Sequence, residues 1–326
     1  MNLPQLKRSA PFFGTAFRVF SKARLFKTRL FKTRPLAILL LAAVVPATMF
    51  STGCRSEKPL VVGSTTSTEQ QVLGEILAQH LEHRLGLKID RRLGINGSNA
   101  AYQQLQSGDL SLYPEYTGAI VTDIIREPAS SDGQQVLERA RGELPRTGHV
   151  ELLDVLGFEN PVVMVVRHLS STSAVIATLE DAGQIREGWK IGVSYEFQQR
   201  QDGVSSLTTY KLPMKAAVRG MDQTLLYPSL ERGDLTMISG RATDAPLVSA
   251  DWLVLKDSQH RFTPERAVVL VRSDVLLKQP RMAAALQELS GKLTVEKMRQ
   301  WNAQVEQGHR TPAEVAEGML RAAGLK

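Results

Sequence analysis

Beyond a basic and then apolar N-terminal stretch, the chain settles into an alternation of short apolar runs and helical patterns. Leu60-Val61-Val62-Gly63 is a brief β-branched run and predicts a buried strand. Ser64 to Thr68 is a polar turn. Apolar residues then recur at Val72, Leu73, Ile76, Leu77 and Leu81, the spacing of one helix face. Ser67 and Gln70 stand at capping-box spacing just ahead of it, so the helix should open there. Strand, polar turn and capped helix begin an α/β unit, and the first N–H groups of the helix point at whatever sits above the strand.

The alternation continues. Residues 87–93 read as a strand and 97–106 as a helix with Ala100, Ala101 and Leu105 inward. Further strands are predicted at 150–156, 162–166, 190–193, 235–238, Trp252–Leu255 and 267–271. From Pro280 onward the pattern is helical in three pieces, broken near Gly291 and between Gly308 and Pro312. Strands alternating with helices predict a mostly parallel sheet. A chain of 326 residues favours about two domains. No Gly/Ser linker separates two halves, which implies that the chain crosses between its lobes more than once.

Charge changes the picture only at the N-terminus. The formal charge of +7 invites a nucleic-acid or membrane reading. Of the 40 Lys and Arg, however, nine precede residue 54, where there is no acid. That leaves 31 bases against all 33 acids, a net −2 for the rest of the chain. The body is nearly neutral, and a nucleic-acid footprint is unsupported. The basic segment ends at Arg34, and about 15 mostly apolar residues follow, short of the ~20 that a membrane helix needs. Basic stretch, apolar stretch and small residues have the form of a secretory signal. Ser51-Thr52-Gly53-Cys54 then resembles a bacterial lipobox, with Cys54 as the lipid-modified residue. The alternative is a lone buried cysteine, and the single Cys rules out an intrachain disulfide. The tandem RLFKT-RLFKT-R from Arg24 to Arg34 reads either as a special targeting element or as an over-long start to the signal.

No catalytic constellation stands out. GxSxG, P-loop and Rossmann glycine patterns are missing. His80 and His83 sit at i, i+3 as two metal ligands could, but no third ligand accompanies them, and a solvated helix face is the reading adopted. No metal, cofactor or catalytic residue is expected.

A resemblance adds to this. VVGSTTSTEQQVLGEILAQHLE (Val61 to Glu82), SGDLSLYPEYTGA (Ser107 to Ala119) and YEFQQRQDG (Tyr195 to Gly203) resemble segments of the substrate-binding proteins of glycine betaine/carnitine/choline (osmoprotectant) ABC transporters. So do MDQTLLYPSLERGDL (Met221 to Leu235), ATDAPL (Ala242 to Leu247), FTPERAVVLVR (Phe262 to Arg272) and LSGKLTVEKMRQWN (Leu289 to Asn302). The likeness is collinear from about Pro59 to Leu325.

The resemblance implies an α/β fold of the periplasmic-binding-protein type 2 class, two α/β lobes with a ligand cleft and two crossovers. It places lobe 1 at 59–160 and 242–326 and lobe 2 at 161–241, after a lipoprotein signal at 1–53 and an anchored linker at 54–58. It implies a monomer, exported and held to the membrane by a lipid at Cys54, facing the periplasm or the extracellular side. Such a protein captures a small solute for a permease and an ATPase. A sensory or scaffolding lipoprotein binding an amino-acid-like or anionic solute is the alternative.

For the site, the resemblance puts the carboxylate-binding arginine at Arg200 and cage tyrosines at Tyr116 and Tyr227, with Thr65, Asn160, Arg241 and Thr243 at further ligand-binding positions. Arg200 could instead pair with Glu196 or Asp202, and either tyrosine could be core. The chain departs from the family pattern where Val162 and Arg241 stand for two tyrosines, Thr65 for a lysine and Ala119 for a threonine. Losing two aromatic faces would cost a quaternary ammonium about 1–4 kcal/mol. Altered or weak specificity is therefore expected.

Overall fold

The computed structural model describes residues 59–168 and 176–326; the signal, the linker and Cys54 lie outside the described residues. Two five-stranded sheets organise the chain. The first has the order β2-β1-β3-β10-β4, formed by Ile89–Ile95, Leu60–Thr65, Leu112–Tyr116, Ala267–Arg272 and Val150–Leu152. The second has the order β7-β6-β8-β5-β9, formed by Arg219–Met221, Ile191–Ser194, Met237–Arg241, Val162–Arg167 and Trp252–Leu255.

Both sheets are mixed, not mostly parallel as the alternation suggested. In the first, β10 runs antiparallel to both β3 and β4; in the second, β5 runs antiparallel to β8 and β9. These two strands are the ones the chain enters on arriving from the other sheet. No helix precedes them to return the chain to the starting edge, so nothing imposes the parallel sense that βαβ units require.

Each sheet is buried on both faces, and the strand alternation shows it. Ala267, Val269 and Val271 join one core with Val62, Leu112 and helix α1 (Thr68–Leu85), while Val268 and Leu270 turn to the opposite core with Tyr113 and Leu105. In the second sheet Val162, Met164 and Val166 face one core and Val165 the other. Helix α1 opens as its sequence promised: the Ser67 hydroxyl accepts the Gln70 N–H at 3.3 Å. It is enclosed on most sides by the first sheet and the C-terminal helices Arg281–Gln287, Val295–Glu306 and Pro312–Ala322. That enclosure corrects the reading of His80. Its side chain is fully buried and bonds the Ala285 carbonyl at 2.8 Å, whereas His83 is exposed.

The chain leaves the first sheet through 153–161 and returns through 256–266. Because Trp252–Leu255 pairs with β5, the strands of the second lobe extend to 255, past the boundary expected at 241. Between β8 and β9 the chain leans back, and Ala245–Val248 packs on the helix Val295–Glu306 of the first lobe. The outgoing crossing is tied down by Gly157. This residue adopts φ 119°, and a Cβ there would lie 2.7 Å from the backbone of Gly291 and from the Leu293 carbonyl. Gly157→Ala is therefore expected to lower unfolding free energy by about 2–4 kcal/mol, measurable as a reduced midpoint in urea with an unchanged m value.

Candidate functional site

The C-terminal ends of β1 and β3 and the N-terminus of α1 face the ends of β6 and β8 across a cleft of about 780 Å³. Such a crevice outside the carboxyl ends of strands is where open α/β sheets bind ligands. Six of the seven positions singled out from the sequence line it: Thr65, Tyr116, Asn160, Arg200, Arg241 and Thr243. Tyr227 does not. It sits on the short helix Leu226–Glu231, edge-on to Trp252 at 5.9 Å, and its hydroxyl donates to Asp244 Oδ2 at 3.0 Å. Its ring completes the core of the second lobe, and its hydroxyl steadies an acid that does line the cleft. Among the described residues Tyr116 is the one aromatic side chain in the lining, and its ring meets Phe158 edge-on.

Carboxylates dominate the lining. Among the described residues nine acids face the cleft against three bases, Arg126, Arg200 and Arg241. Sequence reasoning missed these acids because they lie scattered along the chain and each has an ordinary alternative. Glu69, for example, stands in the first turn of α1, where an acid usually serves the helix dipole.

Glu69 is instead the hub of the site. It is 5% exposed. Its Oε1 accepts the Tyr116 hydroxyl and the Asn160 Nδ2 at 3.0 Å, and its Oε2 accepts the Asn302 Nδ2 at 2.8 Å. Burial raises its pKa, and these donors act against that rise. The carboxylate form accepts from all of them at once. Asn160 Oδ1 in turn accepts the Thr243 N–H at 3.1 Å, and Asn302 Nδ2 also reaches the Thr243 carbonyl at 2.9 Å. One side chain of α1 thus binds the outgoing crossing at 160 and the helix Val295–Glu306, and through their two amides the leaning segment at 243.

The two arginines opposite are already engaged. Arg200 Nε and Nη2 donate to the two oxygens of Asp202 at 2.7 and 2.9 Å, and Nη1 to Glu265 Oε1 at 3.2 Å. Burial opposes ionisation of Asp202, but the Arg200 bonds overcome it and hold the carboxyl at about 2. Arg241 Nη2 donates to Glu196 at 2.6 Å and Nη1 to the Asn160 carbonyl at 3.4 Å. Glu265, from the first-lobe side of the return crossing, therefore meets both guanidiniums of the second lobe. Its other oxygen accepts the Ala119 N–H at 3.2 Å and lies where a Cβ on Gly118 would fall.

Glu115 has no such counter-charge. It is 2% exposed; Oε1 accepts the Tyr116 N–H at 2.9 Å, and Oε2 has no partner. Burial pushes its pKa up to about 7, with the Tyr116 N–H and the Ser98 hydroxyl acting downward and Glu265 and Asp123 upward.

The family model described as the substrate binding domain of the ABC-type glycine betaine transport system matches residues 58–322. The chain belongs to this family. It is 29% identical over 314 residues to the ergothioneine transport permease/ergothioneine binding protein EgtU of Helicobacter pylori, covering 94% of this chain but 56% of that protein. The chain thus spans little more than half the length of that relative. It is 28% identical over 286 residues to a glycine-betaine-binding protein of Pseudomonas aeruginosa, covering 84% of this chain and 91% of that one. The carnitine transport binding protein OpuCC of Listeria monocytogenes is 25% identical over 272 residues, with 82% and 88% covered. Among solved structures, a glycine betaine/carnitine/choline ABC transporter protein superposes with a TM-score of 0.76 at 21% identity, over 82% of this chain and 99% of that one. The fold is that of the type 2 periplasmic binding proteins. The family is one of transporter binding domains, not of enzymes. Among the described residues no helix is long and apolar enough to cross a membrane.

Two outcomes are expected of this network. Glu69→Ala leaves the Tyr116 hydroxyl and Asn160 Nδ2 buried without an acceptor and should cost about 3–5 kcal/mol in urea unfolding, with Glu69→Gln costing clearly less. For Glu115, a native pKa near 7 against an ordinary 4.5 means that the native state holds a proton the unfolded chain has lost. The resulting penalty is nil below about pH 4.5 and complete above about pH 7. Glu115→Gln removes it, so the stability of the variant relative to the parent should rise by about 3 kcal/mol between pH 5 and pH 8.

Proposed function

We propose that this chain is the extracytoplasmic, lipid-anchored binding protein of an ABC importer, and that its solute is a small zwitterion gripped with its cation toward the first lobe and its anion toward the second. The observation that carries this reading is the two-faced charge of the cleft. The first lobe contributes the buried Glu69, Glu115 and Glu265 beside an exposed Arg126, and the second contributes Arg200 and Arg241, each beside an acid of its own, Asp202 and Glu196. A carboxylate on the solute would take over donors that Arg200 and Arg241 now give to Glu265 and Glu196, and the cation would stand against the acids this uncovers. Bridging both walls favours a closed arrangement of the lobes, which a permease and its ATPase would read. Cys54 is the proposed anchoring residue.

Betaine- and carnitine-type compounds have the required charge pattern, as does ergothioneine, for which one relative is named. With Tyr116 as the single aromatic face in the lining, cation–π holding is worth only about 0.5–2 kcal/mol, so glycine betaine should bind weakly. The excess of carboxylates disfavours an anionic solute. Calorimetric titration of the chain from residue 54 onward checks this. Glycine betaine, carnitine or ergothioneine should bind, with glycine betaine weaker than about 10 μM and choline, which lacks the carboxylate, at least ten-fold weaker than its zwitterionic counterpart. Submicromolar choline, or silence from every zwitterion, would sink the reading.

A further inference from the structure

The turn that follows β8 is held from both lobes. Its inner two residues are fixed by the first lobe. Arg299 Nε of the helix Val295–Glu306 donates to the Ala242 carbonyl at 2.7 Å, and Asn160 Oδ1 and Asn302 Nδ2 meet the Thr243 N–H and carbonyl at 3.1 and 2.9 Å. Its outer two residues are fixed to each other. The Asp244 N–H donates to the Arg241 carbonyl at 3.1 Å, and Asp244 Oδ2 accepts the Arg241 N–H at 2.8 Å. Both backbone polar groups of Arg241 thus meet the same residue.

Asp244 is in turn held from the second lobe. Its Oδ2 also accepts the Tyr227 hydroxyl at 3.0 Å, and the Tyr227 ring stands edge-on to Trp252. The pair occupies the space over Gly240, where a Cβ would come 2.8 Å from Asp244 Oδ2 and 3.0 Å from the Tyr227 hydroxyl. From this braced turn the Arg241 side chain enters the cleft, with Nη2 on Glu196 at 2.6 Å and Nη1 on the Asn160 carbonyl at 3.4 Å. Asp244 lines the cleft as well, but an acid cannot hold the anion of a solute, and Tyr227 is absent from the lining.

We infer that Asp244 is the positioning residue of Arg241, with Tyr227 as its support, so that two side chains which do not touch the solute's carboxylate set how tightly that carboxylate is held. The inference rests on the binding-protein reading above and deepens its anion subsite. It also gives Tyr227, turned onto Trp252, a part in binding. Guanidinium–carboxylate pairing is directional, so a shift of about 1 Å at the Arg241 backbone is enough to spoil it. The Tyr227 hydroxyl and the Arg241 N–H converge on one oxygen, and loss of either frees the carboxylate that braces the turn.

Calorimetric titration of the chain from residue 54 onward tests this, with glycine betaine, carnitine and ergothioneine as zwitterions and choline as the cation without a carboxylate. Tyr227→Phe removes one hydroxyl and should weaken the tightest zwitterion by about five-fold; Asp244→Ala should weaken it by about ten-fold or more, and Asp244→Asn, which keeps an acceptor, by less. Choline, which has nothing for Arg241 to grip, should change by no more than about two-fold in all three. In an Arg241→Gln background Tyr227→Phe should cause no further loss, because the group it acts through is gone. Thermal unfolding checks that each variant folds, and Tyr227→Phe carries the test should Asp244→Ala not fold. Losses from Tyr227→Phe and Arg241→Gln that multiply, choline weakened in step with the zwitterions, or an unchanged zwitterion affinity in Tyr227→Phe would overturn the inference and leave the binding-protein reading standing. No binding of any zwitterion to the parent chain would overturn both.

Discussion

The Glu69 carboxylate is the interaction on which the cleft depends. A two-lobed protein must hold the strands that pass between its lobes without freezing them out of register. Here one buried acid accepts from Asn160 on the outgoing crossing, from Asn302 on a C-terminal helix and from Tyr116 at the end of β3, and the two asparagine amides in turn hold the Thr243 backbone beyond β8. A neutral apolar side chain of similar size could fill the volume but could not satisfy these donors. In a buried setting the cost of an unmet donor is what makes the arrangement specific. The network therefore fixes where the first wall of the cleft stands relative to the segments that lead to the second.

Around that fixed wall, the acids and arginines of the cleft serve as one another's counter-ions. Glu265 stands within ion-pair distance of both Arg200 and Arg241, and Asp202 holds Arg200 in a two-pronged grip. Buried charges without partners are expensive, and these pairings offset that cost. Glu115, outside this exchange, relieves its burial by favouring the proton.

Much of the architecture was legible in the sequence, and the exceptions have physical reasons. β1, the capped start of α1, strand Trp252–Leu255 and the three C-terminal helical pieces follow from local periodicity and caps, which act within a few residues. The antiparallel sense of β5 and β10 is set by the chain arriving from the other lobe, which no local pattern encodes. His80 lies on the polar side of α1 by periodicity, yet the C-terminal helices cover that side too. Tyr227 matches a motif position, but its helix turns the ring onto Trp252. The convergence of Glu69, Glu115 and Glu265 brings together residues far apart in the chain, and each taken alone resembles an ordinary solvated acid.

The clamp at Glu69 is tested most directly by native-state hydrogen exchange on the backbone amides of Asn160 and Thr243. If the clamp holds both segments as part of the first lobe, these amides should exchange only through global unfolding, with opening free energies equal to those of buried strand amides such as Val269. Opening free energies several kcal/mol lower, shared by both amides, would show that the crossings come loose independently of the core and would contradict the account.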